Sequence, residues 1–462
     1  MPNFDPRELA QWASGEWQFG APGVVGGIST DTRTLVPGNI FVALRGPSFD
    51  GHGFVGEAFA RGALGAVVNA AQAGLPAGRP LLRVADTTQA LADLAGGYRR
   101  RLRVTVIAVT GSVGKTTVKE MVADVLAARW PTARTRGNFN NAIGLPLSLL
   151  AMAPETRLGV FELGMNHPGE LAPLCRLLQP DWALVTTIGP VHLEFFGSVA
   201  AIAEEKCVVL KSLPPNGVAV LRCDQPYFEL LRAAAPGRVI TLALNAAADY
   251  RGCPPDAQGQ MEIQERATGE SCRLKAPLTG AHHAANALFA AAVGRAFGLA
   301  WEDIRAALER FRAGPLRWEL ERLAGATIVN DAYNANPVSM AAAVQSFANL
   351  PVAGARWLVL GGMLELGPAS EQYHRELGLA LASGPWAGIV TVGSLGAVIA
   401  HAAVGAGLNP AHAFPCDDHA AAAEILAQRV QPGDAVLVKA SRGERLEQVV
   451  ATWKERLSSR ND

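Results

Sequence analysis

The sequence predicts an α/β protein of about three domains, with mainly parallel sheets in which strand, loop and helix alternate. Three observations carry this. The chain has 462 residues, and at about 150 residues per domain that length gives roughly three units. Short apolar runs recur along it, most of them followed by a helical pattern. A glycine-rich turn, Gly111-Ser-Val-Gly114, stands between one such run and an amphipathic helix.

Taken in order, the first twelve residues, MPNFDPRELAQW, carry acids and no long apolar stretch, so no signal peptide is expected. The segment Tyr98-Arg-Arg-Arg-Leu-Arg103 marks a first boundary and reads most simply as a solvated helix end. Buried strands are expected at 104–109, 158–161, 183–185, 218–221, 328–329, 357–360, 389–392 and 435–438. Residues 250–277 look different: two short polar strands flank Thr268-Gly269, a hairpin signal. Arg312-Ala-Gly-Pro315 marks a second boundary. The expected units are therefore 1–102, 103–313 and 314–462. Residues 377–416 contain no Asp, Glu, Lys or Arg, yet a spanning helix needs about 20 predominantly apolar residues. Gly384-Pro385 and Gly407-Leu-Asn-Pro410 cut the stretch, which reads as a strand at 389–392 and a helix over 395–404. No membrane insertion is expected.

Composition narrows the function classes. Lys plus Arg and Asp plus Glu each number 41, so the formal net charge is zero. That balance argues against a broad basic face for nucleic acid and against a polybasic membrane patch. Hydrophobic residues make up 49% of the chain, which excludes disorder as the dominant state. Six cysteines lie scattered at 175, 207, 223, 253, 272 and 416 without a Cys-x-x-Cys pair. Neither a zinc site nor a disulfide framework follows, and reduced thiols in the cytoplasm are expected. With neutral charge and no heptads, a monomer is the expected state.

The strongest chemical signal is the run from Val104 to Thr117. A buried strand enters Gly111-Ser112-Val113-Gly114, and Lys115-Thr116-Thr117 opens a helix with Val118, Met121, Val122, Val125 and Leu126 on one face. This is the setting of a phosphate loop: glycines let backbone N–H groups curl around phosphate oxygens, and the helix N-terminus adds positive potential. Lys115 would reach the β- and γ-phosphates of ATP, and the Thr116 hydroxyl a Mg²⁺ ion. The common pattern has a glycine at position 109, where this chain has Val109, so an ordinary turn with an N-terminal lysine is the competing reading. Glu162 ends a buried strand, and His192 lies just past another. Open α/β sheets collect ligands at such strand ends, where a carboxylate and an imidazole could hold metal. Read alone, Glu162 fits a cap or ion pair and His192 a satisfied polar residue. Gly137-Asn-Phe-Asn-Asn141 is either a turn or an amide-rich loop for an anion. In Asn330-Asp-Ala-Tyr-Asn-Ala-Asn-Pro337, Asp331 is placed for a ribose hydroxyl and Asn334 and Asn336 for ligand atoms; a capping turn is the alternative. Lys439-Ala-Ser-Arg442-Gly443 follows a strand and suits an anion or a helix entry.

In combination these strings resemble the Mur ligases, ATP-dependent amide ligases that build the peptide stem of peptidoglycan. Further strings in the right order are Ser29-Thr-Asp-Thr-Arg33, Phe41-Val-Ala-Leu-Arg-Gly46 with Phe49-Asp-Gly-His52, His192–Ser198 and Gly362-Met-Leu-Glu-Leu-Gly367. The resemblance covers nearly the whole chain and is nearest to members that add D-alanyl-D-alanine to UDP-N-acetylmuramoyl-tripeptide. The Asp-Asn-Pro-Arg string of diaminopimelate-adding members is absent, and Asn-Ala-Asn-Pro stands in that region. The resemblance implies a UDP-sugar-binding α/β domain, a central P-loop ATPase and a C-terminal Rossmann-like domain that closes over the site. It implies ATP and two Mg²⁺ ions, the second held by Glu162, His192 and a carbamylated Lys206. Taken alone, Lys206 would be a surface helix lysine, and Val208 stands where the family has an acid. It also implies Asn286 near adenine, Arg317 reaching the phosphates, and Asp331 on the ribose. Ser29, Asp31, Arg33, Asp50, Gly51 and His52 match the UDP-sugar loops, and Asn141, Asn336, Lys439 and Arg442 are counted with the substrate. The family usually has Gly-Arg where this chain has Leu316-Arg317.

The implied reaction transfers the γ-phosphate of ATP to the tripeptide carboxylate, after which the amine of D-Ala-D-Ala displaces phosphate. Lys115, His192, Lys206 and Arg317 are its expected catalytic residues. The rivals are another Mur or folylpolyglutamate-type ligase, a silent relative that only binds, and an unrelated P-loop NTPase. A folate ligase would not need the 41–52 loops. A silent relative would have lost Lys115, Thr116, Glu162 or His192, and all four are present. A P-loop motor would carry an aspartate at the strand end where Glu162 stands.

Overall fold

The computed structural model describes residues 2–458. The alternation of apolar runs and helices resolves into three sheets among these residues. The first joins Gly27–Ser29, Asn39–Val42, Gly65–Asn69 and Leu81–Val84 in parallel, with Glu16–Gln18 antiparallel at its edge. The second has nine strands, and its central Thr105–Thr110 lies between Leu158–Glu162 and Trp182–Val185. The third has six: antiparallel Glu319–Leu323, then parallel Ala326–Asn330, Ala435–Lys439, Arg356–Leu360, Trp386–Val392 and Ala413–Cys416. Each expected run falls on a strand of these sheets, 218–221 in Val218–Arg222 of the second sheet and 104–109 shifted by one residue to Thr105–Thr110.

Residues 250–277 form the expected hairpin, Gln260–Glu265 against Ser271–Lys275 with Gly269 at φ +73°, and Tyr250–Gly252 joins it to the parallel sheet. The two strands are less polar in effect than in composition: Met261, Ile263, Cys272 and Leu274 alternate inward and are buried, as a half-covered antiparallel ribbon requires. The 377–416 stretch folds as strand and helix within the third sheet's layers. Among the described residues no helix is long and apolar enough to cross a membrane.

Helix Lys115–Ala127 buries the face set by Val118, Met121, Val122, Val125 and Leu126, and packs on Ala281–Ala296 above the central sheet. Beneath that sheet, one apolar cluster runs from Phe4, Leu9, Ile40 and Leu91 through Val106, Leu145 and Phe161. The first sheet's unit and the central one thus share a core. Helix Thr87–Arg101, capped by Asp86 on the N–H groups of Thr88 and Gln89, delivers the shared contacts. Here the expectation of a solvated basic helix end is corrected. Arg99 is buried and donates to the carbonyls of Leu178 and Gln179, and the Tyr98 hydroxyl donates to Met152 O at 2.7 Å. Arg99 thus satisfies carbonyls of the neighbouring unit, while Arg100 and Arg101 stay exposed.

Candidate active site

The carboxyl ends of the central strands open into a cavity of about 740 Å³, whose far wall comes from the third sheet's unit. The phosphate loop forms its floor. Gly111 lies at φ +146° and Gly114 at φ +87°. A Cβ on Gly111 would stand 2.0 Å from Thr186 Oγ1, and one on Gly114 2.7 Å from Asn286 Oδ1, so both positions need glycine. Ser112 Oγ donates to Gly189 O and accepts from Gly189 N–H, both at 3.0 Å, and Thr186 Oγ1 donates to Val113 O. These bonds pin the loop to the segment after Trp182–Val185 whatever side chain stands at position 113. Lys115 Nζ donates to Gly111 O at 2.8 Å. Burial pushes its pKa down, the negative charge of Glu162 opposes this, and the Arg317 guanidinium adds to it.

Glu162 is 2% exposed and its oxygens are divided: Oε2 accepts from the Thr116 hydroxyl and Oε1 from Asn140 Nδ2, each at 2.7 Å. Its backbone N–H donates to Thr135 Oγ1. Lys119, fully buried one turn past Lys115, donates to Thr135 O and Gly137 O and so fixes the asparagine-rich loop. Asn141 Oδ1 accepts from the N–H groups of Ile143 and Gly144 at the entry to helix Gly144–Leu150, and the residue also lines the cavity. Asn140, rather than Asn141, holds the carboxylate; nothing in the string distinguishes the two asparagines.

The reading of Lys206 as a surface lysine is overturned. It is 2% exposed, inside helix Val199–Lys211. Burial first, then the positive charge of Lys115, drive its pKa well below the ordinary lysine value, against Glu205. It is not among the residues lining the cavity.

Across the cavity, Arg317 stacks its guanidinium 3.7 Å from the centre of the Tyr333 ring, a cation–π contact. Its neighbours Leu316 and Trp318 lie at φ +59° and +56°, a conformation the family's glycine would adopt freely at position 316. Tyr333 N–H donates to Leu316 O, and Trp318 N–H to Asp331 Oδ1, which ties the arginine's turn to the 331–334 turn. Lys439 is 2% exposed; its Nζ pairs with Asp331 Oδ2 at 2.6 Å and donates to Asn334 O. It therefore holds the turn that carries Asp331 and Asn334. Asn336 forms a capping box with Ser339 and lines the cavity as well, so both readings of that string hold at once.

The cavity brings together Ser112, Val113, Gly114, Lys115, Thr116, Thr117, Asn141, Glu162, His192, Asn286, Arg317, Asp331, Asn334, Asn336 and Lys439. Gly111 backs the loop. Arg442 pairs with Glu447 and is not among the lining residues. Ser29, Asp31, Arg33, Asp50, Gly51 and His52 form a separate group at the first sheet's strand ends. Asp31 pairs with the exposed Arg33 at 2.7 Å. Asp50 is held well below the usual carboxylate range, chiefly by the backbone N–H of His52 and then by its ring. His52 is buried, with Nδ1 on Asp50 and Nε2 accepting from Asn69 N–H, so its ring supports the loop from within.

Several cavity residues were not foreseen. His282 and His283 precede Asn286 on the same helix; burial pushes His282 down to about 4 and His283 well below its ordinary value. Among the described residues neither buried nitrogen of His283 has a hydrogen-bond partner. Tyr333, which lines the cavity, and Glu365, which stands behind it, lay inside strings already singled out; the stacking of Tyr333 depends on Arg317 and the pairing of Glu365 on His192, neither of which its own string reveals. His192 Nδ1 donates to the Glu365 carboxylate from the third sheet's unit.

Comparison with known proteins agrees along the chain's length. Three family models match: "Mur ligase family, catalytic domain" over residues 24–99, "Mur ligase middle domain" over 109–294 and "Mur ligase, glutamate ligase domain" over 316–442. The UDP-N-acetylmuramoyl-tripeptide--D-alanyl-D-alanine ligase of Bacillus subtilis is 38% identical over 92% of this chain and 93% of its own. The crystal structure of MurF from Acinetobacter baumannii superposes with TM-score 0.87 at 32% identity, covering 98% of this chain and 99% of that one. MurF ligase from Thermotoga maritima, solved in complex with ADP, gives TM-score 0.81 at 28% identity over 94% and 98%.

Proposed function

Because this chain belongs to the Mur ligase family, we propose that it joins D-alanyl-D-alanine to UDP-N-acetylmuramoyl-tripeptide at the expense of ATP. The observation that carries the reading is the single cavity in which Lys115, Thr116 and Glu162 of the central unit face Arg317 and Asp331 of the third. The proposed division of labour gives residues 1–102 the UDP-sugar, 103–313 the ATP, and 314–462 the closing surface. The proposed setting is the cytoplasm, in keeping with six free cysteines.

The chemistry follows from charge. A carboxylate approaching a triphosphate is an anion meeting an anion. The helix N-terminus at Gly114, the Lys115 ammonium and the Arg317 guanidinium screen that repulsion, and phosphoryl transfer needs mostly such neutralisation and alignment. The tripeptide carboxylate oxygen bonds to the γ-phosphorus as the bond to ADP breaks. The acyl phosphate then meets the free amine of D-Ala-D-Ala; a C–N bond forms, the amine proton is lost, and phosphate leaves. Asp331, held by Lys439, offers the ribose an acceptor. Tyr333 keeps Arg317 extended across the phosphates.

The residues present fit Mg²⁺. Glu162 is a buried carboxylate whose neighbours are a hydroxyl and an amide, with no cation bonded to it. Mg²⁺ takes hard oxygen ligands and keeps several waters and substrate phosphate oxygens in its shell, so few protein ligands are needed. Thr116 would hold one ion; Glu162 and His192, with a carbamate on Lys206, a second. Bound there, Mg²⁺ would neutralise phosphate charge. A buried amine that resists protonation is the form that adds CO₂, and the carbamate offers hard oxygens in place of a cation.

The test is phosphate release from ATP with UDP-MurNAc-tripeptide and either D-Ala-D-Ala or single amino acids. Release that requires both the tripeptide and the dipeptide, with a UDP-pentapeptide product, is expected. Release with a single amino acid would move the chain to another ligase step, and tight tripeptide binding without turnover would make it a binding protein.

A further inference from the structure

His192 and Glu365 belong to different sheets' units yet meet in an unusual way. Both are non-glycine residues in the left-handed region, at φ +52° and +62°, where the Cβ of an L residue crowds the following carbonyl oxygen. His192 opens the short helix Leu193–Phe196; Glu365 sits in the turn that leads from strand Arg356–Leu360 to the Gly367–Ala369 turn. The His192 ring donates from Nδ1 to Glu365 Oε2. Glu194 N–H donates to Glu365 O at 3.2 Å. Gly367, at φ +57°, approaches so closely that a Cβ there would lie 3.1 Å from Glu194 Cα. Leu193 packs against the cores of both units. Two hydrogen bonds, one close backbone approach and one shared apolar side chain thus fasten the 362–367 turn onto the 192–195 turn. Among the described residues the His192 ring is engaged only at Nδ1, while the residue itself lines the cavity.

We propose that Glu365 is a positioning residue for the ligation site: seated by closure of the third unit, it takes the Nδ1–H of His192 and leaves Nε2 as a lone-pair donor to the cavity. The inference rests on the reading that His192 serves the divalent-ion end of the site. A ligand histidine whose other nitrogen donates to a carboxylate is fixed in tautomer and orientation, and loss of such a partner typically lowers metal affinity 10–100-fold. Here that partner comes from the third sheet's unit, not from the unit that carries His192. The ion's environment is therefore complete only when both units are together, which couples ATP activation to closure. Glu365 need touch neither substrate nor ion.

The test uses the full chain with Glu365→Ala, Glu365→Gln and His192→Ala. Mn²⁺ binding in the presence of a non-hydrolysable ATP analogue is followed by electron paramagnetic resonance, and the His192 tautomer by nitrogen NMR of ring-labelled histidine. Glu365→Ala is expected to weaken Mn²⁺ binding at least about tenfold and to abolish the preference for Nδ1–H. Glu365→Gln, which keeps a carbonyl acceptor, is expected to retain the tautomer and recover most of the affinity. Unchanged binding and tautomer in Glu365→Ala, with binding lost in His192→Ala, would overturn the proposal alone. Unchanged Mn²⁺ binding in His192→Ala would overturn the reading on which it rests.

Discussion

Replacing Asp331 by Asn separates two roles that the cavity superimposes on one carboxylate. Asp331 pairs with Lys439, which is 2% exposed, at 2.6 Å, and also accepts from Trp318 N–H at 3.1 Å. An asparagine can keep the second bond but not the charge. Breaking a buried pair by removing one partner costs about 3–5 kcal/mol. Two features lower that figure: Asp331 is 20% exposed and partly hydrated, and Lys439 keeps carbonyl acceptors at 3.0 Å on Asn334 and 3.4 Å on Asp331. The expected loss of stability is therefore about 2–3 kcal/mol, read as a shift in the urea midpoint of the third unit. Lys439→Met alone leaves a carboxylate with a route to water and costs less. The double variant Asp331→Asn/Lys439→Met should recover stability relative to Asp331→Asn, with a coupling of at least about 1 kcal/mol. It should not recover the KM for ATP if the carboxylate also serves the ribose. Equal stability of Asp331→Asn and the parent would refute the pair's role. Recovery of the ATP KM in the double variant would show that Asp331 acts only through Lys439.

Three further outcomes are expected. Gly111→Ala, with its Cβ 2.0 Å from Thr186 Oγ1 and φ at +146°, should shift the phosphate loop and lower kcat about a hundredfold or more in the ligation assay. Leu316→Gly relieves a left-handed leucine beside Arg317 and should raise the thermal midpoint by the equivalent of about 1 kcal/mol with ligation retained. Lys206, depressed by burial, binds fewer protons folded than unfolded between its lowered pKa and the unfolded value near ~10.4. Stability in CO₂-free buffer should therefore rise with pH across that window, and denaturant titrations of Lys206→Met should lack the slope.

The sequence's legibility followed the range of the interactions. The fold was readable because it is local: a four-residue apolar run such as 357–360 or 435–438 marks a strand of a buried sheet, and no distant residue is needed to recognise it. The phosphate loop was readable for the same reason, since strand, glycines and helix are consecutive. Burial was harder. Arg99 and Lys206 look like surface residues within their own helices, and only the neighbouring helices and the carbonyls of Leu178 and Gln179 convert them into interior groups. Pairing was hardest. His192 and Glu365 are 173 positions apart, and Lys439 and Asp331 are 108 apart. Each member was marked by its string, but the partner of each was not, because a pair between segments distant in sequence, whether in one sheet or across two, leaves no periodicity in the chain. The same limit explains why Asn140 could not be chosen over Asn141. Glu162 selects between them, and that selection exists only after the strand ending at Glu162 has been laid beside Thr105–Thr110. A phosphate loop that can be read in fourteen consecutive residues is thus pinned by Glu162, Thr186 and Gly189, 46 to 77 positions away, and faced across the cavity by Arg317 and Asp331, which is what a site assembled by the meeting of two units requires.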